Sequence, residues 1–75
     1  MNTYDTSDLI TASFLYWKGF KLECVDKTLR RIVFSFSRET GMDEVLENFH
    51  RGHETVEPHS FYESIKTLKG RIHND

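Results

Sequence analysis

The chain has a single cysteine, Cys24, so it cannot form an internal disulfide. Many small secreted domains depend on several disulfides, and their absence favours a reducing, intracellular compartment. The longest uninterrupted apolar run covers residues 14–17, far short of the roughly 20 residues that a transmembrane helix needs. The amino terminus also lacks the basic and then apolar segments of a signal peptide. We therefore expect a cytoplasmic protein that does not bind a membrane.

Proline and glycine are also scarce, with one and four copies in 75 residues. Hydrophobic residues make up 37% of the chain and charged residues 29%, which is typical of a globular protein rather than a disordered or fibrous one. A chain of this length can bury one modest core, so we predict a single domain over residues 1–75. No Gly-rich phosphate loop is present, and so small a core leaves little room for a ligand pocket. No cofactor and no small-molecule substrate are expected.

The first predicted element is a helix over residues 7–18. Asp, Thr and Ser side chains precede it and can accept hydrogen bonds from its first amides, and Gly19 stands where a left-handed cap would end it. Apolar residues surround too much of this helix for a single contact. It is either buried on several sides within the monomer or in contact with another protein through part of its surface.

A two-residue period begins at residue 20 and predicts two strands joined by a short turn at residues 26–30. This arrangement is an antiparallel hairpin with one apolar face, and Lys21 and Arg31 are expected on the opposite, outer face. The residues predicted to face the core are Phe20, Leu22, Cys24, Ile32, Phe34 and Phe36.

Two further helices are predicted in the second half of the chain. Met42, Val45, Leu46 and Phe49 have helical spacing, and Gly52 is expected to end that helix. Pro58 suits the first turn of the last helix, whose apolar stripe is Phe61, Ile65, Leu68 and Ile72. Residues 55–57 could add a short third strand. The predicted fold class is therefore α+β, a single two-layer domain with a hairpin packed against three helices in the order α-β-β-α-(β)-α.

Several short motifs along the chain have a recognisable pattern, namely Tyr4-x-Thr6-x-Asp8, Phe34-x-Phe36, Phe49-x-x-Gly52 and Val56-x-Pro58-x-x-Phe61. In these motifs the chain resembles a family of short bacterial and phage proteins of unknown function, over nearly its whole length. The motifs are mostly core, cap and turn positions, so the resemblance implies a shared fold and no catalytic residue. It also implies a prophage or mobile-element context, where small regulators, inhibitors and adaptors are common.

Basic and acidic residues are unevenly distributed. Residues 18–38 contain six basic and two acidic residues, whereas residues 39–57 contain one basic and six acidic residues. A basic two-stranded ribbon can contact phosphates or enter a major groove, which makes nucleic acid a candidate partner. The alternative is that these charges are solvated and protect the strand edges. A net charge of −2 and a pI near 6.0 also fall short of the basicity of a dedicated nucleic-acid-binding domain.

Histidine is the other residue type that could indicate chemistry. His50, His53 and His59 lie close together in the sequence, so a zinc site can be considered. Their predicted positions, at a helix end, in a turn and at a helix start, are typical of exposed polar residues. Cys24 is predicted to face the core, where a thiol is usually inert, and no nucleophile elbow surrounds any serine. We therefore predict neither a metal site nor an enzyme.

These observations favour a non-enzymatic interaction or regulatory module that acts by protein contact or self-association, with a homodimer as one form. The acidic residues 39–57 could pair with the basic hairpin of a partner. The candidate interface residues are Ile10, Phe14, Leu15 and Trp17. The alternative is a nucleic-acid-binding module that uses Lys21, Lys27, Arg30 and Arg31.

Overall fold

The computed structural model describes residues 3–28 and 30–74, and it contains six elements. The predicted α+β class and the antiparallel hairpin are confirmed. The third strand is at the amino terminus, whereas residues 55–57 have no regular structure. The elements are β1 (Thr3–Thr6), α1 (Leu9–Lys18), β2 (Leu22–Asp26), β3 (Val33–Ser37), α2 (Met42–His50) and α3 (Pro58–Asn74).

The three strands form an antiparallel sheet in the order β1-β3-β2, so β3 is the central strand. Its alternating sequence sends Phe34 and Phe36 to the helices, and these side chains are 1% and 0% exposed. Tyr4 pairs with Phe36 and Thr6 with Phe34. Tyr4 and Thr6 therefore lie on the same inner face of the sheet as the two phenylalanines. Aromatic side chains thus lie on the covered side of the sheet.

A β-bulge in β2 corrects the predicted inner face of the hairpin. Leu22 lies opposite Phe36 and Cys24 opposite Ser35, so Glu23 is an extra residue without a partner in β3. The bulge breaks the two-residue alternation, and Val25 rather than Cys24 packs inward against the core. Cys24 is exposed on the outer face. The Glu23 carboxylate accepts a hydrogen bond from the Ser37 hydroxyl across the strands.

Helix α1 starts at Leu9 rather than at residue 7, because Asp8 is its N-cap. The Asp8 carboxylate accepts hydrogen bonds from the Thr11 amide at 3.0 Å and from the Thr11 hydroxyl at 2.5 Å. Gly19 ends the helix with a φ of 104°, as the sequence predicts, and the Phe20 amide donates to the Leu15 carbonyl at 3.1 Å. This pattern is a Schellman motif, which requires a residue that tolerates the left-handed conformation.

The core lies between the inner face of the sheet and the helices. α1 contributes Ala12 and Leu15, and all three helices supply at least one fully or nearly buried residue. α1 is therefore buried on several sides, as one of the two predicted alternatives requires. Each large buried side chain stabilises the fold by about 1.5 to 3 kcal/mol. The buried cluster consists of Ala12, Leu15, Phe34, Phe36, Met42, Leu46 and Leu68.

A charge at Phe34 is expected to abolish the cooperative unfolding transition, because the side chain is almost completely buried in the central strand. Phe34→Lys tests this by circular dichroism and urea denaturation. Ser35→Lys is the matched control, since Ser35 is the next residue of β3, faces outward and lies opposite Asp5. A folded Phe34→Lys variant, or an unfolded control, would contradict the assignment of the two faces.

The Asp8 cap should make the stability of the fold depend on pH. The hydrogen bond from the Thr11 hydroxyl is the main reason that the pKa of Asp8 lies below its usual value of 3.8, and the Thr11 and Ile10 amides and the His50 charge act in the same direction. Because the pKa is lower in the folded state, the ionised carboxylate stabilises the fold at neutral pH, and this contribution is lost as pH falls through the folded pKa.

Asp8→Ala should cost about 1 kcal/mol near neutral pH, and Asp8→Asn should cost less because asparagine also caps helices. Urea denaturation at neutral pH and again well below the ordinary carboxylate pKa measures both differences. The gap between the wild type and Asp8→Asn should shrink at the lower pH. A gap that is constant with pH would exclude a contribution from the charge.

Candidate functional site

A row of four aromatic rings crosses the helices and is the main feature of the helical side. Phe49 of α2 stacks on Phe14 of α1 with ring centroids 4.1 Å apart. Phe14 is 6.2 Å from Trp17, and Trp17 meets the edge of Phe61 of α3 at 6.3 Å. The row places α1 between α2 and α3. Phe14 is fully buried, whereas the other three rings are partly exposed.

Trp17 is held in one orientation by a hydrogen bond to α3. Its indole N–H donates to the Ser60 hydroxyl at 2.8 Å. Ser60 lies in the first turn of α3, where the Glu57 carboxylate accepts from the Ser60 amide at 2.7 Å and the His59 amide at 3.0 Å. These two amides, the Ser60 amide first, lower the pKa of Glu57. Glu57 thus caps α3 at the point where Trp17 contacts it.

The structure narrows the predicted interface on α1. Ile10 is 45% exposed and Trp17 is partly exposed. Phe14 and Leu15 are fully buried, because Phe49 covers Phe14 and the sheet core surrounds Leu15. This corrects the sequence prediction for two of the four residues: Phe14 and Leu15 belong to the interior, and Ile10 and Trp17 are accessible to a partner.

Thr11 links the start of α1 to the end of α2. Its hydroxyl donates to Asp8, and its oxygen is 3.5 Å from Nε2 of His50. Since the single hydroxyl proton is used on Asp8, the Thr11 oxygen can only accept from His50. Thr11 is itself buried. The three side chains therefore tether two helices through a buried hydroxyl.

The four cations predicted to bind nucleic acid do not form one patch. Lys21 lies just before β2 and opposite Ser37, whose amide donates to the Lys21 carbonyl at 2.9 Å. Arg30 and Arg31 are exposed in the connection between β2 and β3, at the other end of the sheet. Lys27 donates to the Ile72 carbonyl in the last turn of α3 at 3.2 Å. Lys21 is therefore separated from the other three by the length of the strands.

An open groove of about 460 Å³ lies at the end of the sheet near Arg31. Asp5, Thr6, Ser7 and Val33 form the rest of its lining. One carboxylate and one guanidinium give it no dominant charge, so it has no clear preference for an anion or a cation.

The acidic residues 39–57 are mostly engaged within the chain. Arg38 pairs with Asp43 at 2.6 Å, and Arg51 pairs with Glu47 at 2.7 Å. Lys18 and Glu54 are 3.5 Å apart, and Glu57 caps α3. Exposed pairs of this kind contribute little stability, but they reduce the local charge available to a partner. Four of the six acidic side chains in this segment therefore already have a partner within the chain.

The three histidines are placed separately. His50 contacts Thr11, His53 is exposed in the turn after α2, and His59 is exposed in the first turn of α3. Within residues 3–28 and 30–74, no three His, Cys, Asp or Glu side chains are grouped so that they could hold a metal ion. No helix in the same part of the chain is long and apolar enough to cross a membrane.

The sequence does not predict the contacts between distant helices and strands. No local pattern predicts the hydrogen bond between Trp17 and Ser60. The two residues lie on different helices, and they meet only because α1 and α3 pack against each other. The contact of Lys27 with Ile72 was missed for the same reason. Glu57 could have been found, since an acidic residue directly before Pro58 is a usable signal for a helix start.

The bond between Trp17 and Ser60 should be measurable as a coupling energy. Trp17→Phe and Ser60→Ala should each destabilise the fold by about 1 kcal/mol or more, and the double variant should cost less than their sum, because either change alone breaks the bond. Urea denaturation of the four proteins gives the coupling. Strict additivity would show that the hydrogen bond contributes nothing to stability.

Comparison with known proteins identifies the family but no activity. A family model described as a domain of unknown function (DUF5659) matches residues 1–74. No curated protein and no solved structure is significantly similar to the chain. The predicted resemblance to a family of unknown function is thereby confirmed. Because the match extends over almost the whole chain, this protein belongs to the DUF5659 family.

Proposed function

We propose that this protein is a non-enzymatic interaction module that binds a second copy of itself through the α1 face, which we define as Ile10 and Trp17 with the flanking Phe49 and Phe61. The observation that carries the proposal is the exposure of Ile10, a large apolar side chain that is 45% accessible. Ile10, Phe14 and Trp17 follow one another at intervals of four and three residues, so they share one side of α1. Ile10 thus adds an exposed aliphatic side chain to the side of α1 that carries Phe14 and Trp17.

The composition of the α1 face supports protein binding. Tryptophan is enriched among the residues that contribute most to binding energy at protein interfaces, and a side chain that is already fixed loses little entropy on binding. Trp17 is such a tryptophan, and its orientation is already fixed. Its indole N–H bonds to Ser60, and its rings contact Phe14 and Phe61. A partner that covers Ile10 would also remove exposed apolar surface from water.

A second copy is the occupant that the charges favour. A two-fold interface places each patch on an identical patch, so a patch with one dominant charge would repel itself. Lys18, which lies 6.0 Å from the Trp17 ring, is paired with Glu54, and Glu57 is engaged at the start of α3. At the Trp17 end of the α1 face the charge of Lys18 is thus balanced by Glu54, and the carboxylate beside Ile10 is that of Asp8, which is engaged with Thr11.

The dimensions of the molecule are compatible with such a dimer. The Cα atoms extend over 33 × 31 × 18 Å, which is the shape of a thin plate with broad faces. A typical stable interface buries about 800 Å² on each partner. A face of these dimensions is large enough, and association would add buried apolar area to a domain with a small core.

Context and location are further parts of the proposal. The motifs that indicated the family are also those of chains found in prophages and mobile elements, in which small regulators and adaptors are common. We infer an origin of this kind and a regulatory or adaptor function for the dimer. The exposed thiol of Cys24 is consistent with a reducing compartment such as the cytoplasm.

Self-association is tested by sedimentation and light scattering over a range of protein concentrations. The mass of the wild type should rise towards that of a dimer, and Ile10→Lys should weaken the dimer by about 30-fold or more, as expected for a central interface residue worth at least 2 kcal/mol. Tyr62→Lys is the matched control, because Tyr62 is 58% exposed on α3 but lies outside the row.

At a protein concentration low enough for the wild type to be monomeric, both variants should keep its melting temperature, since both changes are on the surface and dimerisation then adds no stability. A wild type that stays strictly monomeric at the highest concentrations would refute the proposal. Equal weakening by Ile10→Lys and Tyr62→Lys would also refute it, since the effect would then not depend on the α1 face.

A further inference from the structure

Lys27 joins two basic segments that are far apart in the sequence. Its ammonium group donates to the Ile72 carbonyl at 3.2 Å, which brings the turn of the hairpin to the last turn of α3. Arg71 and His73 are the neighbours of Ile72 in the chain, and Lys69 lies about one turn earlier. On the hairpin side, Arg30 is three residues from Lys27. We call this group the basic end, and its members are Lys27, Arg30, Lys69, Arg71 and His73.

The basic end is accessible to a large partner. Arg30, Lys69, Arg71 and His73 are all exposed, and Lys27 is partly exposed. Asp26 is the nearest acidic residue of the hairpin, and its carboxylate accepts hydrogen bonds from the Thr28 amide and hydroxyl at 2.9 and 2.7 Å. The Asp26 carboxylate is therefore engaged by Thr28 within the turn of the hairpin. The basic side chains come from two elements, the turn of the hairpin and the last turns of α3, which the contact of Lys27 with Ile72 brings together.

We propose that the basic end binds the phosphate backbone of nucleic acid, an inference that goes beyond self-association through the α1 face. Phosphate contacts need only Lys and Arg side chains that can reach successive phosphates. A protein partner would need buried apolar or aromatic anchors. The large hydrophobic side chains exposed in the described part of the chain are Ile10, Tyr16 and Tyr62, and none of them belongs to the basic end.

The chemistry of the surface also predicts the kind of recognition. Aromatic side chains on an exposed sheet face can stack on bases, but Tyr4, Phe34 and Phe36 all lie on the inner face of this sheet. Recognition is therefore confined to the backbone, with little preference for base sequence. With two or three phosphate contacts, the affinity for duplex DNA should fall with salt at a logarithmic slope of about −2 to −3.

Fluorescence anisotropy with a labelled duplex of mixed sequence tests the proposal, in a salt titration that starts near 20 mM, a low ionic strength that favours phosphate contacts. Arg30→Glu with Lys69→Glu should weaken binding by about 10-fold or more at low salt. Lys21→Glu with Arg51→Glu is the matched control. It changes the net charge by the same amount at exposed positions outside the basic end, and should lower the affinity by no more than about 3-fold.

Circular dichroism of each variant checks its fold, and Arg30→Gln with Lys69→Gln provides a second variant without charge reversal, expected to give a smaller loss in the same direction. No binding by the wild type at low salt would overturn the proposal. So would an equal loss in the two double variants, which would indicate a general effect of net charge. A polyglutamate peptide that binds the wild type as tightly as the duplex would point instead to an acidic protein partner.

Discussion

The fold depends on how α1 is buried. This helix has only ten residues, yet five consecutive side chains from Thr11 to Leu15 are buried, so it must be covered from several directions. The sheet covers Ala12 and Leu15, α2 covers Phe14, and α3 holds Trp17. Every other helix is positioned by its contact with α1 or with the sheet beneath it. Because the coverage leaves Ile10 exposed, the same packing that builds the core also creates the α1 face.

The sequence was informative where one local pattern decides the outcome. The helical spacing of Met42, Leu46 and Phe49, the proline at the start of α3 and the left-handed Gly19 each act over a few residues, and the corresponding elements are present. The hairpin followed from the alternation around Phe34 and Phe36 in the same way. These features need no knowledge of distant partners, because propensity, capping and period agree with one another.

The sequence was uninformative where position depends on pairing between distant segments. β1 has only four residues and no apolar alternation. It forms a strand because it pairs with β3, with Tyr4 opposite Phe36 and Thr6 opposite Phe34. The bulge at Glu23 likewise depends on the register against β3, and it alone decides that Cys24 faces outward. For the candidate sites, Ile10 and Trp17 could be selected from the sequence, but the burial of Phe14 and the approach of Lys27 to α3 are consequences of tertiary packing.

Trp17 is the single tryptophan of the chain, and its indole lies where α1 meets α3 at the edge of the exposed surface. Its near-ultraviolet emission is therefore a built-in optical reporter that needs no added label. Loss of the contact with Ser60 would place the ring in a wetter environment and shift the emission to longer wavelength, whereas a bound partner would make it drier and shift the emission the other way. The direction of the shift in the emission maximum thus distinguishes the two events in one fluorescence measurement.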